Sequence, residues 1–306
     1  MKELLTATRM ATLLGCPRRH FWRYEVGLRR TVDADALRFG TAWHTAMEAR
    51  WTGADVEAAF AAALAGKTEL GEVQLATLSG MLAGYYTCYA TDPIKSVHPE
   101  VEFRHPLAGS RTFESAGKID GLAVMHDGRL GLVEHKTAGC DIAPDSDYWL
   151  RLRGNAQVMQ YVLAARALGW DVAIVIYDVA RKPAIRQKQG ETAEQFGDRL
   201  GADTKERPEF YFARREVPIL EDDLAEFEVQ RQVLARQILS CRGEARRAKR
   251  PEHGWPRNVS EMSCKICDFA GFCLQNAVID AEHPPAGFVV GVGSEELEAA
   301  SAEGKK

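Results

Sequence analysis

Hydrophobic positions recur at two different periods along this chain, and the change of period divides it. Up to about residue 90 the spacing is helical. Residues 8–25 predict a helix carrying Cys16 and an aromatic patch of Phe21, Trp22 and Tyr24. In residues 35–51 it is Leu37, Trp43, Met47 and Trp51 that recur, and the Ala-rich stretch 54–65 and residues 70–90 predict two further helices. From about residue 97 alternation takes over. Val101 and Phe103 alternate with polar neighbours, then come 112–125 and 130–137, with Asp127-Gly128 marking the hairpin turn between the last two. Residues 148–169 return to a helix ending at Gly169, and 171–179 form a near-continuous apolar run suited to a buried strand. A polar stretch at 189–207 predicts a helix or lid, 209–218 another strand, and 220–240 a long helix. The order of helices, three strands, helix and strand predicts a mixed α/β core. The expected organisation is one domain over 1–282, with a helical part at 1–95, a core at 96–240 and a cysteine-bearing segment at 255–275. The Pro/Gly/Glu/Ala-rich residues 283–306 are expected to be a flexible tail.

The chain has 306 residues, 46% hydrophobic and 27% charged, which is ample for one large core or a core with an attached subdomain. It has no run of 18 apolar residues, so no transmembrane helix is expected. The start, Met1-Lys2-Glu3-Leu4-Leu5-Thr6, lacks a signal-peptide pattern, and a cytoplasmic location is expected. A net charge of −4 argues against indiscriminate DNA binding. Basic residues nonetheless cluster at Arg18, Arg19, Arg23, Arg29 and Arg30, at Arg181, Lys182, Arg186 and Lys188, and at Arg246, Arg247, Lys249 and Arg250. Such groups can neutralise phosphates locally even on an acidic protein, and they occur equally as solvated faces.

Two short stretches carry the chemistry. Gly117-Lys118-Ile119-Asp120-Gly121 is followed by Val133-Glu134-His135-Lys136-Thr137, each within a strand candidate. Glu134 and Lys136 are two apart and share one face of their strand, while Val133 and His135 point the other way. A phosphodiester repels nucleophiles by its charge. A divalent metal cancels that charge and lowers the pKa of a bound water, and hard ions of that kind take carboxylate ligands. Asp120 and Glu134 are therefore candidate metal ligands, with the Lys136 ammonium placed to orient an attacking water. Alone, Glu-x-Lys reads more readily as a surface ion pair, and Asp120 on the preceding strand and the downstream helix change this. Downstream, Gln157 and Tyr161 lie four apart on one helical face and could hydrogen-bond a phosphate or hold the lysine. Upstream, Phe39-Gly40-Thr41-Ala42-Trp43-His44 places a histidine in a helix. Gly66-Lys67-Thr68 resembles the end of a P-loop, but Ala61 stands where its first glycine is required, and the segment follows a helix.

Seven cysteines disfavour a secreted disulfide framework. Cys264, Cys267 and Cys273 form Cys-x2-Cys-x5-Cys, a metal-site spacing, and Cys16 is the candidate fourth ligand. Thiolates suit an Fe–S cluster or zinc, with His253 as an alternative zinc ligand. Cys88 is expected to be a small buried hydrophobe.

Taken in order, His44, Asp120, Glu134-x-Lys136 and Gln157-x-x-x-Tyr161 resemble the RecB-like branch of the PD-(D/E)XK nuclease superfamily over roughly residues 8–275. Phe39 to His44 resembles its Gly-Thr-x-x-His segment. The sequence departs in having Ile119 where the family name has proline. The resemblance implies a restriction-endonuclease-like mixed sheet flanked by helices. It implies that Asp120, Glu134 and His44 bind Mg²⁺ or Mn²⁺, that Lys136 is catalytic, and that Gln157 and Tyr161 position DNA and the lysine. The four cysteines resemble those of the iron–sulfur type, as in CRISPR-associated RecB-like exonucleases and AddB nuclease domains. That implies a 4Fe–4S cluster on Cys16, Cys264, Cys267 and Cys273 joining the N- and C-terminal helical segments, in preference to zinc. Such a clip would close a loop of about 250 residues, roughly 5 kcal/mol by cross-link entropy. It would also place Arg18 and Arg19 to contact DNA. The implied activity is a metal-dependent DNA exonuclease acting on single strands or ends in recombination, repair or phage DNA processing. The implied partner is a helicase, recombinase or CRISPR adaptation protein. The other readings are a spacer-processing nuclease subunit and a non-catalytic DNA-binding or assembly module.

Overall fold

Cys16 and Pro17 interrupt what the periodicity predicts as one helix over 8–25. In the computed structural model, which describes residues 2–66, 69–92 and 94–291, Glu3–Leu5 (β1) leads into Ala7–Gly15 (α1), capped by the Thr6 side chain on the Arg9 N–H. Cys16 is then extended, as a residue before proline must be, and Pro17–His20 (α2) starts afresh before a π-helical turn at Phe21–Glu25. There follow Leu28–Arg30 (β2), Asp35–Trp51 (α3), Val56–Ala65 (α4), Glu72–Cys88 (α5), Lys95–Pro106 (β3), Phe113–Val124 (β4) and Leu130–Ala138 (β5). The helix expected over 148–169 is two, Asp147–Leu150 (α6) and Ala156–Ala167 (α7). The Asn155 side chain accepts from the Gln157 and Val158 N–H groups and fixes a new start there. The chain continues through Val172–Arg181 (β6), Ala193–Glu206 (α8), Pro208–Tyr211 (α9) and Phe212–Pro218 (β7). It ends with Glu221–Arg247 (α10), Glu261–Lys265 (α11), Ala270–Leu274 (α12) and Phe288–Val290 (β8). Lys67 and Thr68 lie outside the described residues.

The strands make a six-stranded mixed sheet in the order β1-β4-β5-β6-β7, with β3 also paired to β4. β4 and β5 form an antiparallel hairpin whose turn uses Gly128 at φ +86°. β6 lies parallel to β5, and β7 antiparallel to β6.

The chain forms two compact units. One comprises 34–101 and 119–220. It holds β5, β6 and β7, with a core that includes Phe39, Trp43, Met47, Met81, Tyr85 and Phe196. Here α5 and α8 approach closely because glycines face the contact. A Cβ on Gly80 would lie 2.8 Å from the Gly197 carbonyl oxygen, and one on Gly84 would lie 2.3 Å from Thr204 Oγ1. Thr204 Oγ1 in turn donates to the Gly80 carbonyl at 2.9 Å.

The other unit comprises 1–33, 102–118 and 221–306. Within it β1 pairs in parallel with the start of β4, Glu3 opposite Phe113. β2 pairs with β8, Arg30 opposite Phe288, so part of the segment expected to be a flexible tail forms a strand. The rest of that expectation, 292–306, lies outside the described residues. Arg242 on α10 bridges Glu3 and Glu25, with contacts of 2.7 Å to each, and Arg9 reaches the same two carboxylates. Arg9 Nε also donates to Nε2 of the fully buried His20 at 3.2 Å, which requires a neutral ring with its proton on Nδ1. Burial first, then the positive Arg9 and Arg242, push the His20 pKa from the usual 6.5 down to about 3.

Gly84→Ala is expected to force α5 from α8 and lower stability by about 1–3 kcal/mol, read as a fall in the urea midpoint. For His20, the unfolded chain takes up a proton below pH 6.5 that the folded chain refuses down to about 3. Its stabilising contribution is therefore complete above pH 6.5 and lost as pH falls. Going from about pH 7.5 to about pH 5.5 should cost the wild type roughly 1 kcal/mol relative to His20→Gln, which keeps an acceptor for Arg9. A difference between wild-type and His20→Gln urea stabilities that stays constant over this range would contradict it.

Candidate active site

Asp120, Glu134, Lys136, His44, Gln157 and Tyr161 all belong to the unit that holds β5 and β6. The β4–β5 hairpin sets the first three. Gly121 pairs with Val133 across the ladder, which puts Asp120 beside the strand carrying Glu134. Asp120 Oδ2 accepts from the His135 N–H at 2.8 Å, so the carboxylate is fixed to the neighbouring backbone. Its Oδ1 lies 3.4 Å from His44 Nδ1 on α3. Glu134 is fully buried and ion-paired with Lys136. Lys136 Nζ also donates to Gln157 Oε1 at 2.8 Å, and Gln157 Nε2 donates to Tyr161 Oη at 3.0 Å. The i, i+4 spacing on α7 thus gives a chain of hydrogen bonds donated from Lys136 to Gln157 and from Gln157 to Tyr161.

The electrostatics follow from packing two acids side by side. Burial, then the nearby Asp120 charge, push Glu134 up to about 7, against the pull of Lys136 and His44. Burial also raises Asp120, but the His44 charge and hydrogen bond outweigh it, with His135 and Lys136 adding to them, and hold it at about 2. For His44 burial opposes the charged form, and Asp120 overcomes this and raises it. Lys136 likewise is raised by Glu134 and Asp120 against burial. Glu134 Oε2 is buried without a hydrogen-bond partner among the described residues. A buried carboxylate that resists ionising beside a second carboxylate, with one oxygen still to be satisfied, fits a divalent cation. Asp120, Glu134 and His44 offer oxygen and imidazole donors for one.

The opposite face of β5 carries residues that the sequence pattern did not flag. His135 Nδ1 lies 3.0 Å from Asp178 Oδ2 on β6. Asp178 accepts from Tyr85 and pairs with Arg214 at 3.4 Å, and Arg214 makes contacts of 2.8 and 2.9 Å to Asp92. Arg50 of α3 also meets Asp92, at 3.4 Å. Burial opposes ionisation of Asp178, but Arg214, His135 and Tyr85 hold it well below the usual carboxylate range. The available signal was Asp178 itself, a lone acid in the apolar run from Val172 to Val179. The Trp51 ring lies 5.5 Å from that of His135.

In the other unit, Cys16, Cys264, Cys267 and Cys273 line one small cavity together with Arg19 and Arg257. The Asn258 N–H approaches Cys16 Sγ at 3.4 Å. Burial pushes the Cys267 and Cys273 thiols up, and neighbouring thiols add to it. Arg18 departs from its expected place on a DNA-facing surface. It is 6% exposed and its Nε donates to the Trp255 carbonyl at 2.9 Å, because α2 turns that side chain into the aromatic packing around Trp255. Cys88 is exposed, not buried as expected, since it closes α5 at its last turn.

Asp178→Asn should leave Arg214 under-compensated in a buried site and lower stability by about 3–5 kcal/mol, read by urea denaturation. Loss of under 1 kcal/mol would mean that this network does not brace β5.

A family model described as the PD-(D/E)XK nuclease superfamily matches residues 4–274. No curated protein matches the chain. Among solved structures, that of SSO0001 has a TM-score of 0.39 and 12% identity, over 91% of this chain and 89% of that one. A candidate exonuclease from Eubacterium rectale has a TM-score of 0.46 and 12% identity, over 93% and 91%. LHK-Exo in complex with dAMP has a TM-score of 0.26 and 12% identity, over 70% of this chain and 98% of that one.

Proposed function

The chain belongs to the PD-(D/E)XK nuclease superfamily, whose members generally use divalent metals such as Mg²⁺ or Mn²⁺, and from that membership we propose that it is a metal-dependent DNA exonuclease acting on single strands or strand ends. The observation that carries this reading is the convergence of Asp120, Glu134 and Lys136, with Lys136 Nζ held between Glu134 and Gln157.

Asp120, Glu134 and His44 would hold the cation. When bound, it supplies charge neutralisation at the phosphate and a more acidic water. The chain's own residues do the rest. The His135 N–H fixes Asp120 through Oδ2, which leaves Oδ1 turned toward His44. Gln157 Oε1 accepts a hydrogen bond from one N–H of the Lys136 ammonium and Glu134 engages a second. The third would remain to orient a nucleophilic water for attack on the phosphorus. Because Glu134 and Asp120 keep Lys136 protonated, it acts as a donor and a positive charge, not as a base. Tyr161 holds Gln157 and so keeps the lysine from swinging out.

Cys16, Cys264, Cys267 and Cys273 would hold a 4Fe–4S cluster. Support comes from their sharing one cavity and from thiols whose mutual repulsion a cationic centre relieves. Arg19 and Arg257 at its edge would balance the negative charge of a four-thiolate cluster.

Lys136→Ala and Asp120→Asn should each lower Mn²⁺-dependent cleavage of 5′- and 3′-labelled DNA on the order of 10²–10³-fold while circular dichroism stays that of the wild type. Full activity in either purified variant would sink the assignment, and the label released first gives the polarity. Cys264→Ala should lose iron and visible absorbance and melt at a lower temperature. A colourless wild type loaded with zinc would rule the cluster out.

A further inference from the structure

A second cavity, of about 540 Å³, opens in the same unit as the candidate active site. That volume is in the range of small-molecule binding sites. Its walls are apolar, with Phe39 from α3, Val73 from α5, Ile185 from the segment after β6 and Phe196 from α8. Lys182 and Arg186 stand in the same lining. Lys182 Nζ lies 5.2 Å over the Phe39 ring and donates to the Ala36 carbonyl at 3.4 Å. Its pKa is lowered by burial alone. The acid in the lining, Asp35, is ion-paired with Arg38.

The cavity is built on the elements that carry the candidate catalytic residues. α3 runs antiparallel to β5. Trp51 packs on the cluster containing Val133, the His44 ring lies 6.3 Å from that of His135, and Phe39 comes under Lys182. The Lys182 N–H donates to the Ala138 carbonyl at 2.7 Å. Ala138 is two residues beyond Lys136, so about 7 Å farther along β5. Phe39 is five residues from His44, about 7.5 Å along the helix. A strand with its phosphate at Lys136 would bring an adjoining nucleotide to this cavity.

We propose that this cavity is a subsite for one unpaired nucleobase of the DNA strand being cut, held against the apolar wall at Val73 and Ile185, with Lys182 and Arg186 taking the phosphates on either side. Resting on the nuclease reading, the proposal deepens it by selecting among substrates. A base can enter a walled cavity only when it is free of its pairing partner. An uncharged apolar ligand would need neither cation. A duplex could not place a base between Val73 and Ile185. The site therefore favours single strands or frayed ends over intact duplex.

The test uses the full chain carrying Lys136→Ala, so that DNA is not consumed. Binding of a fluorescein-labelled single strand and of the same sequence as duplex is followed by anisotropy, and a strand bearing 2-aminopurine reports entry of the base as a change in its fluorescence. Val73→Glu, at a residue 43% exposed on the cavity wall, puts a carboxylate into the space without removing core. It should weaken single-strand binding about ten-fold and abolish the 2-aminopurine change. Lys182→Gln and Arg186→Gln change solvent-reachable cations and keep the test open should Val73→Glu fold poorly. Each should reduce the slope of log affinity against log salt by about 0.7. Wild-type affinity and 2-aminopurine response in a folded Val73→Glu protein, unchanged slopes in both Gln variants, or equal binding of duplex would each overturn the subsite. Metal-dependent cleavage by the wild type in that case would leave the nuclease reading standing. Absence of both DNA binding and cleavage would remove the two together.

Discussion

Everything at the candidate site depends on two carboxylates being brought together in a place that water scarcely reaches. Asp120 and Glu134 sit on adjacent antiparallel strands, and Glu134 is fully buried. The arrangement divides their behaviour. Asp120 stays ionised because it has His44 and the His135 N–H, while Glu134 is left the costlier site, pushed up to about 7. Lys136 offsets that cost in part, and a divalent cation would offset more of it. Burial here creates a demand for positive charge that the protein itself only half supplies.

A site of this kind needs a rigid support, and the other face of β5 provides one. Asp178, Tyr85, Arg214, Asp92 and Arg50 form a buried chain of charges and hydrogen bonds that ends on His135, the residue between Glu134 and Lys136. His135 thus contributes on both sides, its ring to Asp178 and its N–H to Asp120. The close packing of α5 on α8 through Gly80 and Gly84 holds Tyr85 in register with that chain. The other unit solves a similar problem with Arg9, Arg242, Glu3 and Glu25, and keeps His20 neutral.

Much of this was legible in the sequence. The helix over 35–51 and the hairpin through Asp127-Gly128 follow from periodicity and turn chemistry, and they appear as Asp35–Trp51 and as β4 and β5. Glu134, Lys136, Gln157 and Tyr161 are legible because the periods of strand and helix put each pair on one face; Glu134 and Gln157 meet at the Lys136 ammonium, and Tyr161 meets Gln157. The periodicity predicts one helix over 148–169, and the structure has two because the Asn155 side chain caps a new start. Arg18 looked like a surface cation because charge alone does not show which way a short helix turns its side chains. Asp178 is not legible in the sequence, because one acid in an apolar run has no local pattern and its partners, Tyr85 and Arg214, come from far away in the chain.

The sequence by itself determined the residue types and their local faces. It set an acid before a glycine on one strand, Glu-x-Lys on the next, an amide and a phenol one helical turn apart, and four cysteines at ligand spacing. Local periodicity suffices for that, since it depends on neighbours a few positions away. Only the tertiary structure decided how deep Glu134 is buried and that Lys136 bridges it to Gln157. It alone decided that His135 is braced from behind by Asp178, and that Phe39, Ile185 and Lys182 line a cavity in the same unit. Those properties depend on contacts between residues dozens of positions apart, and on the loss of water that such contacts impose.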